Sequence, residues 1–436
     1  MTQFYRVVEH TVNGAHSREY ASATANGDID KPRLAVKQYI PLDNPNPQPG
    51  DLTIIGAHAN GFPKVSSCLE SYDVLRPNIL QELYEPLWDE LYQLASKNGI
   101  HIRAIWIADM WNQNQSGVLN EKILANDPSW FDHSRDLMAL INEKRDEMPH
   151  PLIGIGHSMG AAQLYFSPPH PVSTPSSKPC SLTPYSTYLA QTTPRLFRSL
   201  ILLDPVIQKS NSGVGPAVAS TNRRDIWPSR ADAAAKFRQA RFYQAWDPRV
   251  LDLWLQHGLR RVPTELYPSE GPNDERVTLA TTKHQELFTF LRATYRGDDE
   301  LLDRDGFFTG GEAVRDMFPF YRPEPLYIFK RLPELRPSVL YVFGEKSEMS
   351  PPAVRRAKME STGTGLGEWR APKGRVKQVV LDCGHLVAME RVKECAEAIA
   401  GREQKRFVER RRAKKRIDLI AVDEEWKREI KPKSKI

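Results

Sequence analysis

Short apolar runs rich in β-branched residues alternate with longer helical stretches along the first half of the chain. This alternation is typical of a mostly parallel sheet with helices on its faces. A helical stretch from about Ile79 to Lys97 has five leucines at helical spacing and is followed by Gly99, a stop signal. The pattern predicts an α/β protein with an eight-stranded, mostly parallel sheet. The predicted strands are Tyr5 to Thr11, Leu34 to Tyr39, Leu52 to Ala57, Ile102 to Ile107, Leu152 to Ile155, Arg198 to Asp204, Ser338 to Gly344 and Lys377 to Asp382.

The interval 206–333 separates the sixth and seventh predicted strands and lacks strands of comparable length. Its clearest patterns are two amphipathic stretches, Arg230 to Tyr243 and Pro248 to His257. We interpret this interval as a helical cap inserted over the sheet. Two roles stay open for its aromatic side chains, packing of the cap against the core and lining of an acyl pocket. These side chains are Phe237, Phe242, Tyr243, Trp246 and Trp254.

Charge is distributed unevenly along the 436 residues. The net charge of +6 comes from residues 401–436, which contain 14 Lys and Arg against 7 Asp and Glu, so the first 400 residues are close to neutral. We interpret the basic run Arg402 to Arg416 as a solvated helical face and predict no nucleic-acid partner, because the run contains few aromatic side chains. The predicted organisation is a core in two parts, 1–205 and 334–400, a cap at 206–333 and a charged helical extension at 401–436.

Composition and missing motifs exclude several other classes of protein. Hydrophobic residues make up 40% and charged residues 26% of the chain, which is typical of a soluble globular protein. We expect neither a secretory leader nor a membrane span, because no sufficiently long apolar run occurs. Four scattered cysteines favour a reducing compartment over a disulfide framework. No zinc-protease, P-loop or dinucleotide-binding motif occurs in a suitable setting, so no metal and no cofactor are predicted.

The candidate chemistry centres on Ser158, in the pentapeptide Gly156-x-Ser158-x-Gly160. This pentapeptide follows the predicted strand Leu152 to Ile155 and precedes a helix start at Ala161, which is the strand-turn-helix setting of a nucleophile elbow. The two glycines leave room for a sharp turn. The pattern therefore predicts an α/β-hydrolase fold with Ser158 as the nucleophile. A serine at this position excludes the epoxide hydrolases and haloalkane dehalogenases that use an aspartate there.

A serine hydroxyl needs a base to remove its proton, and the base needs an orienting acid. His385 follows the final predicted strand, in the chain order that this fold requires, and is the predicted base. Three carboxylates could orient its imidazole: Asp204 at the end of the sixth strand, and Glu348 or Glu345 in the turn after the seventh. We favour Asp204, then Glu348, then Glu345, because Ser347 stands where a seventh-strand aspartate is expected.

The oxyanion formed during attack on a carbonyl group needs two N–H donors. One is predicted to be the backbone N–H of Met159, directly after the nucleophile. The other is predicted in the loop that follows the third strand, at the N–H of Asn60 or of Gly61.

Several blocks of the sequence resemble a family of fungal peroxisomal α/β-hydrolases. That family includes the yeast peroxisomal lipase and hydrolases of AK-toxin-type host-selective toxin biosynthesis. The resemblance covers most of the first 400 residues. It rests on the blocks His58 to Phe62, Arg103 to Asp109, Asn126 to Asp136, Gly156 to Gly160 and Phe242 to Arg249.

The resemblance implies an esterase, lipase or thioesterase that acts on a small-molecule acyl substrate, within a toxin or other secondary-metabolite pathway. Both oxygen esters and thioesters pass through the same acyl-enzyme, so the sequence leaves them open. An acyltransferase with the same nucleophile and a non-catalytic ligand-binding protein of this fold are the alternatives. The final residues Ser434, Lys435 and Ile436 are similar to the peroxisomal signal Ser-Lys-Leu, which predicts an import receptor as a partner and a peroxisomal location.

Overall fold

An eight-stranded sheet lies at the centre of the computed structural model, which describes residues 2–60, 81–164, 196–209, 213–296, 301, 302, 304, 319–365 and 374–403. Its order is β1-β2-β4-β3-β5-β6-β7-β8, where β1 pairs antiparallel with β2, β2 antiparallel with β4, and all other neighbours are parallel. The strands are β1 (Tyr5–Asn13), β2 (Arg33–Pro41), β3 (Leu52–Ala57), β4 (Ile102–Ala108), β5 (Leu152–His157), β6 (Phe197–Leu203), β7 (Ser338–Gly344) and β8 (Val376–Leu381).

Helices cover both faces of this sheet. Strands β3, β5 and β7 are buried along their whole length, as parallel strands between two helical layers should be. Adjacent residues of one strand belong to different apolar clusters: Ile54 packs in one and Ile55 in the other, because successive side chains point to opposite faces. The described helices are α1 (Glu85–Lys97), α2 (Asn114–Leu119), α3 (Trp130–Glu143), α4 (Met159–Gln163), α5 (Val214–Asn222), α6 (Arg230–Gln239), α7 (Arg241–Gln244), α8 (Pro248–His257), α9 (Lys283–Phe290), α10 (Glu324–Arg331), α11 (Pro352–Ser361) and α12 (Val387–Glu390); residues 392–403 are also helical.

The prediction of an eight-stranded, mostly parallel sheet is confirmed, and every strand end falls within two residues of its expected position. The sixth strand stops one residue early, because Asp204 has a φ of 37°, which an extended strand does not allow. The helix expected from Ile79 begins at Glu85, after a 3-10 turn at Gln81–Tyr84. Pro86 in its first turn favours that start, since a proline there needs no N–H partner. Residues 61–80 lie outside the described part.

The interval 206–333 is helical over α5 to α9, but it also contains a small antiparallel sheet that the sequence pattern did not predict. Val277–Leu279 forms its centre, with Ile226–Trp227 and Leu259–Arg261 on either side. Strands of two or three residues are too short to produce a detectable alternation. The predicted amphipathic stretch Arg230 to Tyr243 forms two helices, α6 and α7, which are separated at Ala240, whose ψ is 125°.

The aromatic side chains of this interval pack against the core. Phe237, Tyr243 and Trp254 have no exposed surface, and they belong to the same apolar cluster as Trp88 of α1. The Asp247 N–H also donates to the carbonyl oxygen of Met389 on the core, at 2.8 Å. These aromatic side chains therefore have the packing role that the sequence left open. An acyl-pocket role, and the boundaries 1–205, 206–333, 334–400 and 401–436, stay predictions.

Two further expectations concern the ends of the chain and membranes. Residues 404–436 lie outside the described part, and with them the tripeptide Ser434, Lys435 and Ile436. Within the residues that the structure describes, no helix combines the length and the apolar character needed to cross a membrane.

Candidate active site

Ser158 occupies a strained turn between β5 and α4. Its φ of 56° and ψ of −114° lie in a region that residues other than glycine rarely adopt. The flanking glycines are sterically required: a Cβ on Gly156 would lie 2.6 Å from the Cα of Ala161, and one on Gly160 would lie 2.2 Å from the carbonyl oxygen of Ala57. The sequence Gly-x-Ser-x-Gly thus permits a turn so tight that α4 begins directly against the end of β3.

Three side chains that are distant in the sequence form one chain of hydrogen bonds. His385 Nε2 lies 2.9 Å from Ser158 Oγ, and His385 Nδ1 lies 2.5 Å from Asp204 Oδ2. In the arrangement that satisfies both bonds, Nδ1–H donates to the carboxylate and Nε2 accepts the serine proton. Parallel strands bring them together, because β5, β6 and β8 all end at the same edge of the sheet.

Asp204 is fully buried and directly follows β6. Its carboxylate accepts hydrogen bonds from the hydroxyls of Ser347 and Ser350, and from the N–H of Gly344 at 3.3 Å. Burial by itself would raise the pKa of Asp204, but the hydrogen bond and charge of His385, followed by the two serine hydroxyls, outweigh it and hold the pKa below its ordinary value. The group is therefore an ionised acceptor around neutral pH.

The turn after β7 supplies hydroxyl groups at the place where a carboxylate was considered. Ser347 is buried against Asp204, whereas the side chains of Glu345 and Glu348 are exposed. The Glu345 N–H donates to the carbonyl oxygen of Leu381, which ties this turn to the end of β8. Of the candidate acids, Asp204 is buried and has its Oδ2 2.5 Å from His385 Nδ1.

The two predicted oxyanion donors lie on neighbouring segments. Met159 is the first residue of α4, and Asn60 lies in the loop after β3, against which α4 begins. The Asn60 side chain is held on both sides: its Oδ1 accepts from Gln113 Nε2 at 2.8 Å, and its Nδ2 donates to the carbonyl oxygen of Glu286 on α9 at 3.3 Å. Gly61, the alternative donor, lies outside the described residues.

A second hydrogen-bond chain links the loop after β3, which contains the predicted oxyanion donor Asn60, to the backbone of His385. The Ala59 N–H donates to Tyr84 Oη at 3.1 Å, and Tyr84 Oη lies 3.0 Å from His157 Nδ1. On the other side of its ring, His157 Nε2 lies 3.1 Å from the His385 carbonyl oxygen. Burial, followed by the charge of His385, lowers the pKa of His157 to about 3, so this ring stays neutral. It can therefore donate from Nε2 while accepting from Tyr84.

The block Asn126 to Asp136, which contributes to the family resemblance, supports the fold. Asp127 receives two hydrogen bonds of 2.8 Å from the guanidinium group of Arg292. Ser129 and Asp132 form a reciprocal capping box at the start of α3. This block therefore joins the interval 206–333 to the core and fixes the start of a helix.

Sequence reasoning missed Ser350, Tyr84, Gln113 and the bond made by His157. Their partners are between 25 and 228 positions away in the chain, so no local spacing could indicate them. Ser347 did give a signal, as a departure from the expected aspartate. Across the described ranges, no cluster of three or more His, Cys, Asp or Glu side chains is placed to hold a metal ion.

A model described as the alpha/beta hydrolase family matches residues 87–398. The type I acyl-CoA thioesterase mpaH' of Penicillium brevicompactum is 37% identical, over 99% of this chain and 96% of its own length. The abhydrolase domain-containing protein AFT2-1 of Alternaria alternata is 30% identical, over 58% of this chain and 83% of its own.

Among solved structures, the peroxisomal alpha-beta-hydrolase Lpx1 of Saccharomyces cerevisiae superposes with a TM-score of 0.60, covering 97% of this chain and 100% of its own. It is 14% identical and therefore shows likeness of fold. The predicted resemblance to Alternaria AK-toxin-type proteins and to the yeast hydrolase is confirmed, as are the predicted fold and the prediction of a hydrolytic enzyme. The chain belongs to the alpha/beta hydrolase family.

Proposed function

We propose that this protein is a serine hydrolase that cleaves acyl-CoA thioesters through an acyl-enzyme on Ser158. The observation that carries the proposal is the hydrogen-bonded series Ser158, His385 and Asp204 at the carboxyl edge of the sheet. A serine, a neutral imidazole and a buried carboxylate in this order form the machinery that activates a hydroxyl for acyl transfer.

The reaction follows from the geometry. His385 Nε2, 2.9 Å from Ser158 Oγ, accepts the hydroxyl proton as Oγ attacks the thioester carbonyl. The buried carboxylate of Asp204 stabilises the resulting imidazolium through Nδ1–H. The N–H groups of Asn60 and Met159 are the proposed donors to the oxyanion. The C–S bond breaks, the thiol leaves with the proton of His385, and Ser158 keeps the acyl group.

Water then completes the cycle. It loses a proton to His385 Nε2 while its oxygen attacks the acyl-enzyme carbonyl, and the proton returns to Ser158 Oγ as the ester bond breaks. The sum is one thioester and one water converted to one carboxylic acid and one thiol. The residues provide both proton transfers, so the reaction as written requires no metal and no redox cofactor.

The choice of a thioester rests on the relatives. Three of them, 34 to 37% identical over 89 to 99% of this chain, are named type I acyl-CoA thioesterases. The buried aromatic side chains of the interval 206–333 and the near-neutral charge of the first 400 residues favour an apolar acyl group. A role in toxin or other secondary metabolism is a proposal that rests on the family resemblance alone.

A substrate panel tests the proposal. Purified protein is incubated with acyl-CoA thioesters of increasing chain length and with p-nitrophenyl esters of the same acyl groups, and Ser158→Ala serves as the blank. We expect kcat/KM to be at least about tenfold higher for the best thioester than for its matched ester, because recognition of the CoA moiety adds binding energy that the small ester cannot supply. Hydrolysis of the esters alone would replace the thioesterase proposal by an esterase. Transfer of the acyl group to an added alcohol, without release of acid, would replace it by an acyltransferase.

We also propose that the protein works in the peroxisomal matrix, because Ser434, Lys435 and Ile436 are similar to the tripeptide that an import receptor reads at a free C-terminus. A fluorescent protein fused ahead of residue 1 should colocalise with a peroxisomal marker in a fungal cell. Deletion of the three residues should leave the fusion diffuse in the cytosol. A diffuse signal from the intact fusion would contradict the proposal.

A further inference from the structure

We propose that Lys358 is a positioning residue of the active site, which holds the turn that carries Asp204. The inference rests on the proposed function, because it assigns a role within the same catalytic series. It is carried by the burial of the Lys358 side chain, by its hydrogen bond, and by the bonds that connect its partner to Ser158.

Lys358 lies on α11 with no exposed surface. Its Nζ donates to the carbonyl oxygen of Pro205 at 2.6 Å and lies 5.5 Å from the ring centroid of Phe343. A buried ammonium is costly, and an apolar side chain of similar volume would fill such a space at lower cost. A lysine in this place therefore needs a reason other than packing.

The hydrogen bond from Lys358 is accepted by a turn whose backbone is strained. Asp204 has a φ of 37° and precedes a proline, which restricts its backbone further. The Pro205 carbonyl oxygen accepts from Lys358 and also from the Ile207 N–H, at 3.0 Å. Lys358 thus fixes the peptide group between Pro205 and Val206, one residue beyond Asp204.

The same turn supports the nucleophile. The Val206 N–H donates to the carbonyl oxygen of Ser158 at 3.1 Å, and the Ser158 N–H donates to the carbonyl oxygen of Leu203 at 2.8 Å. Both residues with a left-handed backbone conformation at this site, Ser158 and Asp204, are therefore held by one short segment. Loss of the hydrogen bond between Lys358 and Pro205 would therefore make the positions of both Asp204 and Ser158 less fixed.

The Lys358 hydrogen bond is strengthened when its donor carries a charge. Burial lowers the pKa of Lys358 to about 8, while the charge of the Asp204 carboxylate opposes that fall. A protonated Lys358 donates a charge-assisted hydrogen bond to the Pro205 carbonyl oxygen, and such a bond is stronger than one from a neutral donor.

The experiment compares Lys358→Met, Lys358→Gln and the matched control Arg356→Met, which removes an exposed cation from the same helix. For each protein we would measure kcat and KM with the best acyl-CoA, the rate of fluorophosphonate labelling, and the circular dichroism spectrum. Lys358→Met should lower kcat roughly 10- to 100-fold with little change in KM, since misplacement of catalytic groups costs this much.

The second variant tests the hydrogen bond itself. Lys358→Gln keeps an N–H donor without the charge, so it should recover part of kcat, and Arg356→Met should match the wild type. A folded Lys358→Met protein that labels at the wild-type rate and keeps the wild-type kcat would overturn the inference. So would loss of folded structure in both Lys358 variants, which would make the role one of stability. Failure of the wild type to label would instead refute the serine mechanism itself.

Discussion

Replacing Ser158 by alanine should lower the rate of acyl-CoA hydrolysis by about 10⁴-fold or more, because it removes the proposed nucleophile, the hydroxyl that lies 2.9 Å from His385 Nε2. The change removes one oxygen atom from a residue that is 6% exposed, so the fold should be retained. The measurement is initial-rate kinetics with the best acyl-CoA, together with labelling by a fluorophosphonate probe.

The matched control is Ser96→Ala, which removes an exposed hydroxyl from α1. That variant should hydrolyse substrate and react with the probe as the wild type does. A folded Ser158→Ala protein that keeps either property would show that the nucleophile is another residue.

Replacing Asp204 by asparagine should lower kcat by about 10⁴-fold, the loss typical of removing the charge from an acid that orients a catalytic histidine. An asparagine amide can present N–H to His385 Nδ1, which reverses the tautomer and places a hydrogen on the nitrogen that must accept the serine proton. The substitution should also weaken the hydrogen bonds from Ser347 and Ser350, because the hydroxyls of both residues donate to the Asp204 carboxylate. Steady-state kinetics with the same acyl-CoA checks the prediction.

Glu348→Gln and Glu345→Gln are the comparison for that result, since both residues were candidate acids and both are exposed. Each should change kcat by less than about threefold, within the range of ordinary surface substitutions. If Glu348→Gln lost as much activity as Asp204→Asn, the acid would have to be reassigned to the turn after β7.

Much of the fold could be predicted because each strand of the sheet has its own local signal. β3 and β7 are continuous apolar runs bounded by polar or turn-forming residues, and both were predicted with their observed limits. The small sheet around Val277–Leu279 could not be predicted, because its strands are too short to have a period. The sequence also did not indicate the break at Ala240, because the residues on both sides of it keep helical spacing.

The sequence by itself determined the features that depend on neighbouring residues: the alternating pattern of the sheet, and the glycine-flanked turn at Ser158, since only glycine fits beside α4 and β3. It also placed His385 after the last strand. Only the tertiary structure decided which carboxylate lies beside that histidine. Asp204, Ser350 and Lys358 belong to three segments separated by up to about 150 residues, and they meet because β6 and β7 are parallel neighbours whose ends share one edge. Their contacts depend on that pairing, on a φ of 37° at Asp204 and on burial, none of which residue spacing expresses.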